Sequence, residues 1–253
     1  MKAFLGKEWM EMVRTGRGIL LLLIFVLFGI MNPAIAKLTP WLMEQMADSL
    51  ESSGFIVTET TVDAMVSWTQ FFKNMPMALV AFVLVCSGMF TGEYLSGTLI
   101  PVVTKGLPRW NIVAAKAMML MAGWSILYLI CYGITFAYNA YFWDNSIARH
   151  LICAASCWWL FGIWVIAFLV LFSAAARTTA QVLAGTGGIV IAAYVLGMFP
   201  KLGAVLPIKL MDGMALLQGA ASPVEFAESA AWAGVSIVLC MVLAVACFER
   251  KRL

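Results

Sequence analysis

The chain has 253 residues, of which 63% are hydrophobic and only 11% are charged. Soluble domains are about half apolar and about a quarter charged, so a water-soluble globule of this composition could not cover its surface with polar side chains. The composition excludes a soluble enzyme, a nucleic-acid-binding module and a disordered protein, while the net charge of +3 says little by itself. We therefore expect an all-α integral membrane protein.

Six continuous apolar stretches are long enough to cross a bilayer, which requires roughly 20 residues per helix. They are not the short alternating segments of a β-barrel, the other fold that satisfies the backbone in lipid. The chain shows no internal repeat and no soluble domain, so residues 1–253 form a single transmembrane domain. The predicted spans are Gly18–Ala36, Met75–Thr91, Ile112–Tyr138, Leu151–Ala175, Val182–Phe199 and Ala230–Phe248.

The basic residues predict the orientation of these spans, because cytoplasmic loops carry an excess of lysine and arginine. With both termini inside, eleven basic residues lie on the inner side and five on the outer side. The inner set is Lys2, Lys7, Arg14, Arg17, Lys105, Arg109, Lys116, Arg177, Arg250, Lys251 and Arg252, and the outer set is Lys37, Lys73, Arg149, Lys201 and Lys209. Most acidic residues fall outside, which agrees with this topology.

Residues 1–17 precede the first span and have two interpretations. Their basic residues, the apolar run that follows and Ala34-Ile35-Ala36 resemble a secretory signal with its cleavage site. However, acidic residues occur in an unusually long leader, and apolar and charged residues divide between two helix faces. We therefore expect a retained amphipathic helix that lies flat on the inner leaflet.

Two outer segments interrupt the spans. Pro33 and Pro40 should break the first helix near the outer face, and residues 37–74 are expected to form an outer segment that is too polar to span and contains short helices. Residues 200–228 are fairly apolar but too short and too charged to cross, and we expect them to re-enter the membrane from outside. The last span should then begin with Ser222 as its cap, Pro223 in its first turn and Glu225 closing a capping box.

The segment 92–109, between the second and third spans, has the pattern of a short surface helix. Leu95, Leu99, Val102 and Val103 recur at helical spacing. Glu93 should stand near the start of this helix and Lys105 near its end, where the helix dipole favours these charges. Gly106 can adopt the left-handed conformation that ends a helix, and Pro108 suits the start of the third span.

The Glu-x-x-x-Gly-Thr-Leu sequence beginning at Glu93, the basic-Gly-Leu-Pro-Arg turn that ends at Arg109 and the following helix with Lys116 resemble the membrane subunits of type-2 ABC exporters. The resemblance covers nearly the whole chain, including the interfacial helix and the re-entrant segment. It implies a permease with a cytoplasmic coupling helix after the second span. By overall appearance the chain is similar to small permeases of toxin-peptide and bacteriocin-immunity exporters.

The resemblance also implies partners and site residues. A separate ABC ATPase in two copies would bind ATP and magnesium, and a second permease, identical or related, would complete the pathway. Coupling to the ATPase is carried over to Glu93, Gly97, Thr98, Lys105 and Arg109. The alternative for this set is structural: two charges cap a helix and Arg109 binds phosphate headgroups.

The chain itself lacks the G-x-x-x-x-G-K-[ST] phosphate loop, so we expect a transport subunit without its own ATPase site. We expect no catalytic, cofactor or metal site in this chain. His150 is interpreted as an interface residue, and the six cysteines as apolar packing residues.

The cargo is expected to be an amphipathic peptide or a hydrophobic compound, because spans almost without charge do not suit a bare ion. Polar groups of the third span are candidates for the pathway: Tyr128, Tyr132, Tyr138 and Asn139. The location expected is a bacterial inner membrane. The rival hypothesis is an ATP-independent membrane protein, either an intramembrane enzyme or an assembly scaffold.

Overall fold

The computed structural model describes residues 2–52, 62–98, 104, 106 and 108–251, and these residues form a helical bundle. The first half contains α1 (Lys2–Arg14), α2 (Arg17–Ser52), α3 (Ala64–Cys86), α4 (Gly88–Ser96) and α5 (Arg109–Phe142). The second half contains α6 (Leu151–Ala175), α7 (Thr179–Gly197), α8 (Pro200–Gly203), α9 (Gly213–Leu217) and α10 (Ala227–Arg250). Short 3-10 turns cover Asn145–Ile147, Pro207–Met211 and Pro223–Phe226.

Six helical stretches among the described residues are long and apolar enough to cross a membrane, as the sequence predicts. The fourth matches its predicted bounds, while the second and third are longer than predicted because polar residues extend the helices beyond their apolar centres. The six are Arg17–Trp41, Ala64–Tyr94, Arg109–Phe142, Leu151–Ala175, Thr179–Gly197 and Pro223–Arg250. The expected leader helix over 1–17 is α1, which ends at Arg14.

The expected break of the first helix is wrong, because α2 continues through Pro33 and Pro40. A proline inside a helix leaves the carbonyl four residues earlier without its usual donor. For Pro33 this carbonyl belongs to Gly29, and the hydroxyl of Thr135 on α5 donates to it at 3.1 Å. A neighbouring helix thus supplies the missing hydrogen bond, and α2 crosses the position without ending.

Residues 200–226 form α8, α9 and their turns, packed over one end of α6. Trp158 of α6 donates its indole N–H to the carbonyl of Met211 at 3.0 Å. Leu210, Leu216 and Leu217 are fully buried there. The predicted capping box is confirmed: the backbone N–H of Ser222 donates to Glu225 at 3.0 Å, and Pro223 follows the cap.

The core is rich in aromatic side chains from α3, α5 and α6. Trp68, Trp124 and Trp158 are almost completely buried. The ring of Trp124 fits against Gly162 of α6, where an added Cβ would come within 2.2 Å of the indole. This close approach joins α5 and α6, the two helices that support the sites described below.

Candidate functional site

Glu93 lies in the second half of α4, so the expectation that it stands at a helix start is wrong. The helix begins earlier, at Gly88, directly after α3 ends. The side chain of Glu93 is buried, with 4% of the residue exposed. A buried carboxylate needs compensating charge, which here comes from lysines rather than from a helix dipole.

Four side chains form an ion cluster, which we define as Lys7, Glu8, Glu93 and Lys116. The Nζ of Lys116 is 2.8 Å from Glu8 Oε2 and 2.9 Å from Glu93 Oε2. Lys7 contacts the other oxygen of Glu93 and lies 3.2 Å from Glu8 Oε1. Because its members come from α1, α4 and α5, the ion cluster joins these three helices.

Neighbouring groups stabilise the buried charges of the ion cluster. Lys116 also donates to the carbonyl of Met89 at 3.2 Å. The ring of Phe90 lies 5.2 Å from its Nζ, within the range of a cation–π interaction. Lys116 and Glu8 are each only 1% exposed, so water contributes little to their solvation.

Lys7 is the half-exposed member of the ion cluster. Burial by itself lowers its pKa, but the carboxylates of Glu93, Glu8 and Glu11 outweigh burial and raise the pKa above its usual value. Lys7 therefore stays protonated throughout the physiological range.

The carboxylates of Glu8, Glu11 and Glu93 converge within 4.8 Å, as the ligands of a metal ion would. The ammonium groups of Lys7 and Lys116 already contact all three carboxylates. The two lysines balance the buried carboxylates of Glu8 and Glu93, and the third carboxylate, that of Glu11, is partly exposed to solvent, so the arrangement is explained as an ion-pair network.

Arg109 begins α5 at the other end of the 92–109 segment. Its guanidinium donates to three carbonyls at the end of the chain: 3.2 Å to Phe248, 2.9 Å to Glu249 and 2.7 Å to Lys251. The last carbonyls of a helix have no partners within it, and a cation there is favoured by the helix dipole. Arg109 thus caps α10 and fixes its end to α5.

Lys251 continues this connection to α6. Its Nζ donates to the carbonyls of Ala174 and Ala176 at 3.1 and 2.5 Å and lies 3.8 Å from the ring centre of Tyr94. Burial, together with the charge of Arg177, lowers the pKa of Lys251 to about 8. Lys251 is therefore packed against α4 and α6.

The remaining residues of the predicted coupling set lie between these two anchors. Gly97 ends α4 in the left-handed conformation, with φ of 66°, and Thr98 after it is exposed. Lys105 lies outside the described residues, as do Leu99, Val102 and Val103 of the predicted apolar face. The left-handed conformation predicted for Gly106 is confirmed, with φ of 85°.

The structure brings two of the four candidate pathway residues together. Tyr128 and Tyr132 both line a groove of about 1260 Å³ between α5 and α6. Tyr138 is exposed and stacks on Phe142 instead. Asn139 is fully buried, and its amide has no partner among the described residues. The role of these four residues in transport stays a prediction.

Sequence reasoning missed Glu8 and Lys251 as site residues and gave Lys116 no partner. One signal was present: Lys116 is a lone charge near the start of an apolar span, and such a charge requires an acidic partner. Nothing in the sequence identifies which acid, because Glu8 lies 108 residues away. Lys251 gives no signal, since terminal basic residues are common next to membrane spans.

The chain matches the family described as ABC-2 family transporter protein over residues 3–253. Because the match covers nearly the whole chain, the protein belongs to this family. It is a multi-pass membrane protein and an ABC permease, a transport subunit of a class that lacks its own ATPase domain. A search of curated proteins found no match to the chain.

Proposed function

We propose that this chain is the permease subunit of an ATP-driven exporter, forms half of the translocation pathway and receives its driving force from a separate ATPase through residues 92–109. ATP and magnesium bind to that partner. The observation that carries the proposal is the anchoring of this segment at both ends. Glu93 fixes one end to α1 and α5, and Arg109 fixes the other to α10.

This anchoring gives a physical route for coupling. A partner that moves the segment at exposed residues such as Thr98 would displace α4 against the ion cluster and α5 against the end of α10. Glu93 and Arg109 then act as internal anchors, while Thr98 and Lys105 are the candidates for direct contact with the ATPase. Buried ion pairs resist separation, so the helices would move together rather than slide independently.

A second permease copy has an available surface on α7. Ala184, Gly188 and Ala192 are exposed along one side of this helix, and small residues at this spacing allow close helix contact. We propose that two permeases and two ATPase subunits form the working complex. The cargo we propose is an amphipathic peptide or a hydrophobic compound.

The bias of basic residues supports a bacterial inner membrane with both termini in the cytoplasm. Through the contacts Lys116–Glu8 and Arg109–Lys251, α1 and the end of α10 lie at the same end of the bundle. A cytoplasmic ATPase would then meet the exposed residues of the 92–109 segment at that end.

Purification of the tagged chain from its native membranes tests the proposal. Vanadate-sensitive ATP hydrolysis should co-elute with the chain, and Lys105→Glu should reduce it at least fivefold. Lys201→Glu is the matched control, since Lys201 is exposed at the opposite end of the bundle. Hydrolysis that is absent from the wild type, or that both variants retain equally, would contradict coupling through this segment.

A further inference from the structure

The groove between α5 and α6 is not explained by the coupling mechanism. Its walls are mostly apolar, and it is open along the side of the bundle. The rim includes Leu129 and Ile152, which are 62% and 77% exposed. A volume of about 1260 Å³ exceeds the range of about 300–1,000 Å³ that is typical of pockets for drug-sized ligands.

The dimensions of the groove fit one leaflet of a bilayer. Along α5 it extends from Ser125 to Phe136, about 16 Å at the rise of an α-helix. Half of the hydrocarbon core of a membrane is about 15 Å thick. At the deep end, Trp159 donates its indole N–H to the hydroxyl of Ser125 at 2.9 Å and closes the groove.

The opposite end of the groove carries polar groups, among them His150. The neighbouring Arg149 is not part of the lining, because its side chain lies against Gly219. The imidazole of His150 has no hydrogen-bond partner among the described residues. Ser146 also lies at this end, but its hydroxyl donates to Asp144 at 2.6 Å and is already used. The imidazole N–H is therefore free to donate to an anionic group.

The backbone conformation of His150 indicates that its side chain has a defined position at this end of the groove. Its φ of 49° is in the left-handed region, and among the described residues it is the only non-glycine residue with a positive φ. A residue in this conformation is strained and persists only where its surroundings hold it. The imidazole is thus presented at the groove by a turn that other contacts fix, including the bond from Arg149 N to the carbonyl of Leu217.

We propose that this groove is a binding site for a phospholipid of the surrounding leaflet, with its acyl chains along α5 and α6 and its phosphate at His150. The free nitrogen donor at one end only and the depth of one leaflet both favour a lipid over a helix of a second copy. A helix of a second copy would instead require an apolar surface that spans the whole membrane, such as the side of α7.

Native mass spectrometry of the full chain in detergent, without any ATPase, tests this site. The probes are palmitoyl-oleoyl phosphatidylglycerol and dioleoylglycerol, which lacks the phosphate. Leu129→Trp should reduce retention of both lipids at least fivefold by filling the groove. Leu239→Trp is the matched control, because Leu239 is 56% exposed on α10 and lies outside the groove.

The variant His150→Asp separates the two ends, because its carboxylate repels a phosphate group. Aspartate accepts the left-handed backbone, so the turn should remain folded. Retention of phosphatidylglycerol should fall at least threefold, while retention of dioleoylglycerol should not change. Cys153 lines the groove, and mass mapping of maleimide labelling should show it protected by phosphatidylglycerol.

Three results would overturn the site. In the first, Leu129→Trp and Leu239→Trp retain phosphatidylglycerol equally. In the second, Leu129→Trp separates a dimer into monomers without loss of lipid, so that a second copy covers the groove. In the third, an amphipathic helical peptide protects Cys153 and phosphatidylglycerol does not. None of these results bears on coupling to an ATPase, because the permease is measured alone.

Discussion

The Nζ of Lys116 lies 2.8 Å from a carboxylate oxygen of Glu8, and both side chains are 99% buried. This pair joins the leader helix α1 to the start of α5. Glu93 contacts the same lysine, so α4 belongs to the same unit. The leader helix is therefore an integral part of the bundle and determines where the 92–109 segment begins.

Substitution Lys116→Met should destabilise the protein by about 3–5 kcal/mol, because it removes the buried one of the two lysines that Glu8 and Glu93 share. Thermal unfolding followed by size-exclusion chromatography in detergent measures the loss. Lys201→Met is the control and should change stability little, since Lys201 is exposed. Adding Glu8→Gln to Lys116→Met should recover part of the loss, and a double variant less stable than the single one would contradict the pairing.

Gly97→Ala should destabilise the end of α4, because a left-handed backbone costs an alanine about 1–2 kcal/mol. Gly92→Ala is the matched control within the same helix, where an added Cβ meets no atom within 4 Å. That change should be neutral or stabilising, since alanine favours a helix over glycine. Unfolding midpoints compare the two variants, and equal values would show that Gly97 does not need its conformation.

Arg109→Gln should loosen the end of α10 by about 1.5–3 kcal/mol, the range for hydrogen bonds from a charged donor. Hydrogen–deuterium exchange of the peptide containing Phe248 and Glu249 should become faster. Arg250→Gln, at an exposed arginine of the same helix end, serves as the control. Unchanged exchange in Arg109→Gln would show that its three carbonyl contacts do not stabilise α10.

Thr135→Val should cost about 0.6–1.7 kcal/mol, the range measured for hydrogen bonds between membrane helices. The change removes the donor to Gly29 and the acceptor for Asn32. Thr39→Val is the control, because Thr39 bonds only to Ile35 in its own helix. Urea or heat unfolding in mild detergent measures both, and a larger loss in the control would refute the interhelical role.

The pKa of Lys251 predicts that the stability of the folded protein near the end of α10 depends on pH. Its folded pKa of about 8 lies below the usual 10.5, so the folded state binds fewer protons than the unfolded state between these values. The packing of Lys251 against α4 and α6 should therefore become more stable as pH rises from 8 to 10.5. This gain should be absent from Lys251→Arg, because arginine stays charged over this pH range. Melting temperatures of the two proteins that change with pH in the same way would contradict the prediction.

The six spans, the capping box at Ser222 and the turn at Gly106 could be predicted from the sequence. Each depends on a property of a short stretch: the length of an apolar run, a capping residue beside its partner, or a glycine where the chain reverses. The family resemblance likewise rests on residues close together, around Glu93 and Arg109. These features do not require knowledge of which helices meet.

Tertiary structure alone decided which distant groups are partners. The path of α2 through Pro33 depends on Thr135, a residue of another helix, and local rules for proline cannot include it. The burial of Glu93 depends on Lys7 and Lys116, and the groove at Tyr132 depends on how α5 and α6 separate. Because few residues of this protein are charged, each buried charge needs a partner of opposite charge. Only the packing of the helices determines which residue is that partner.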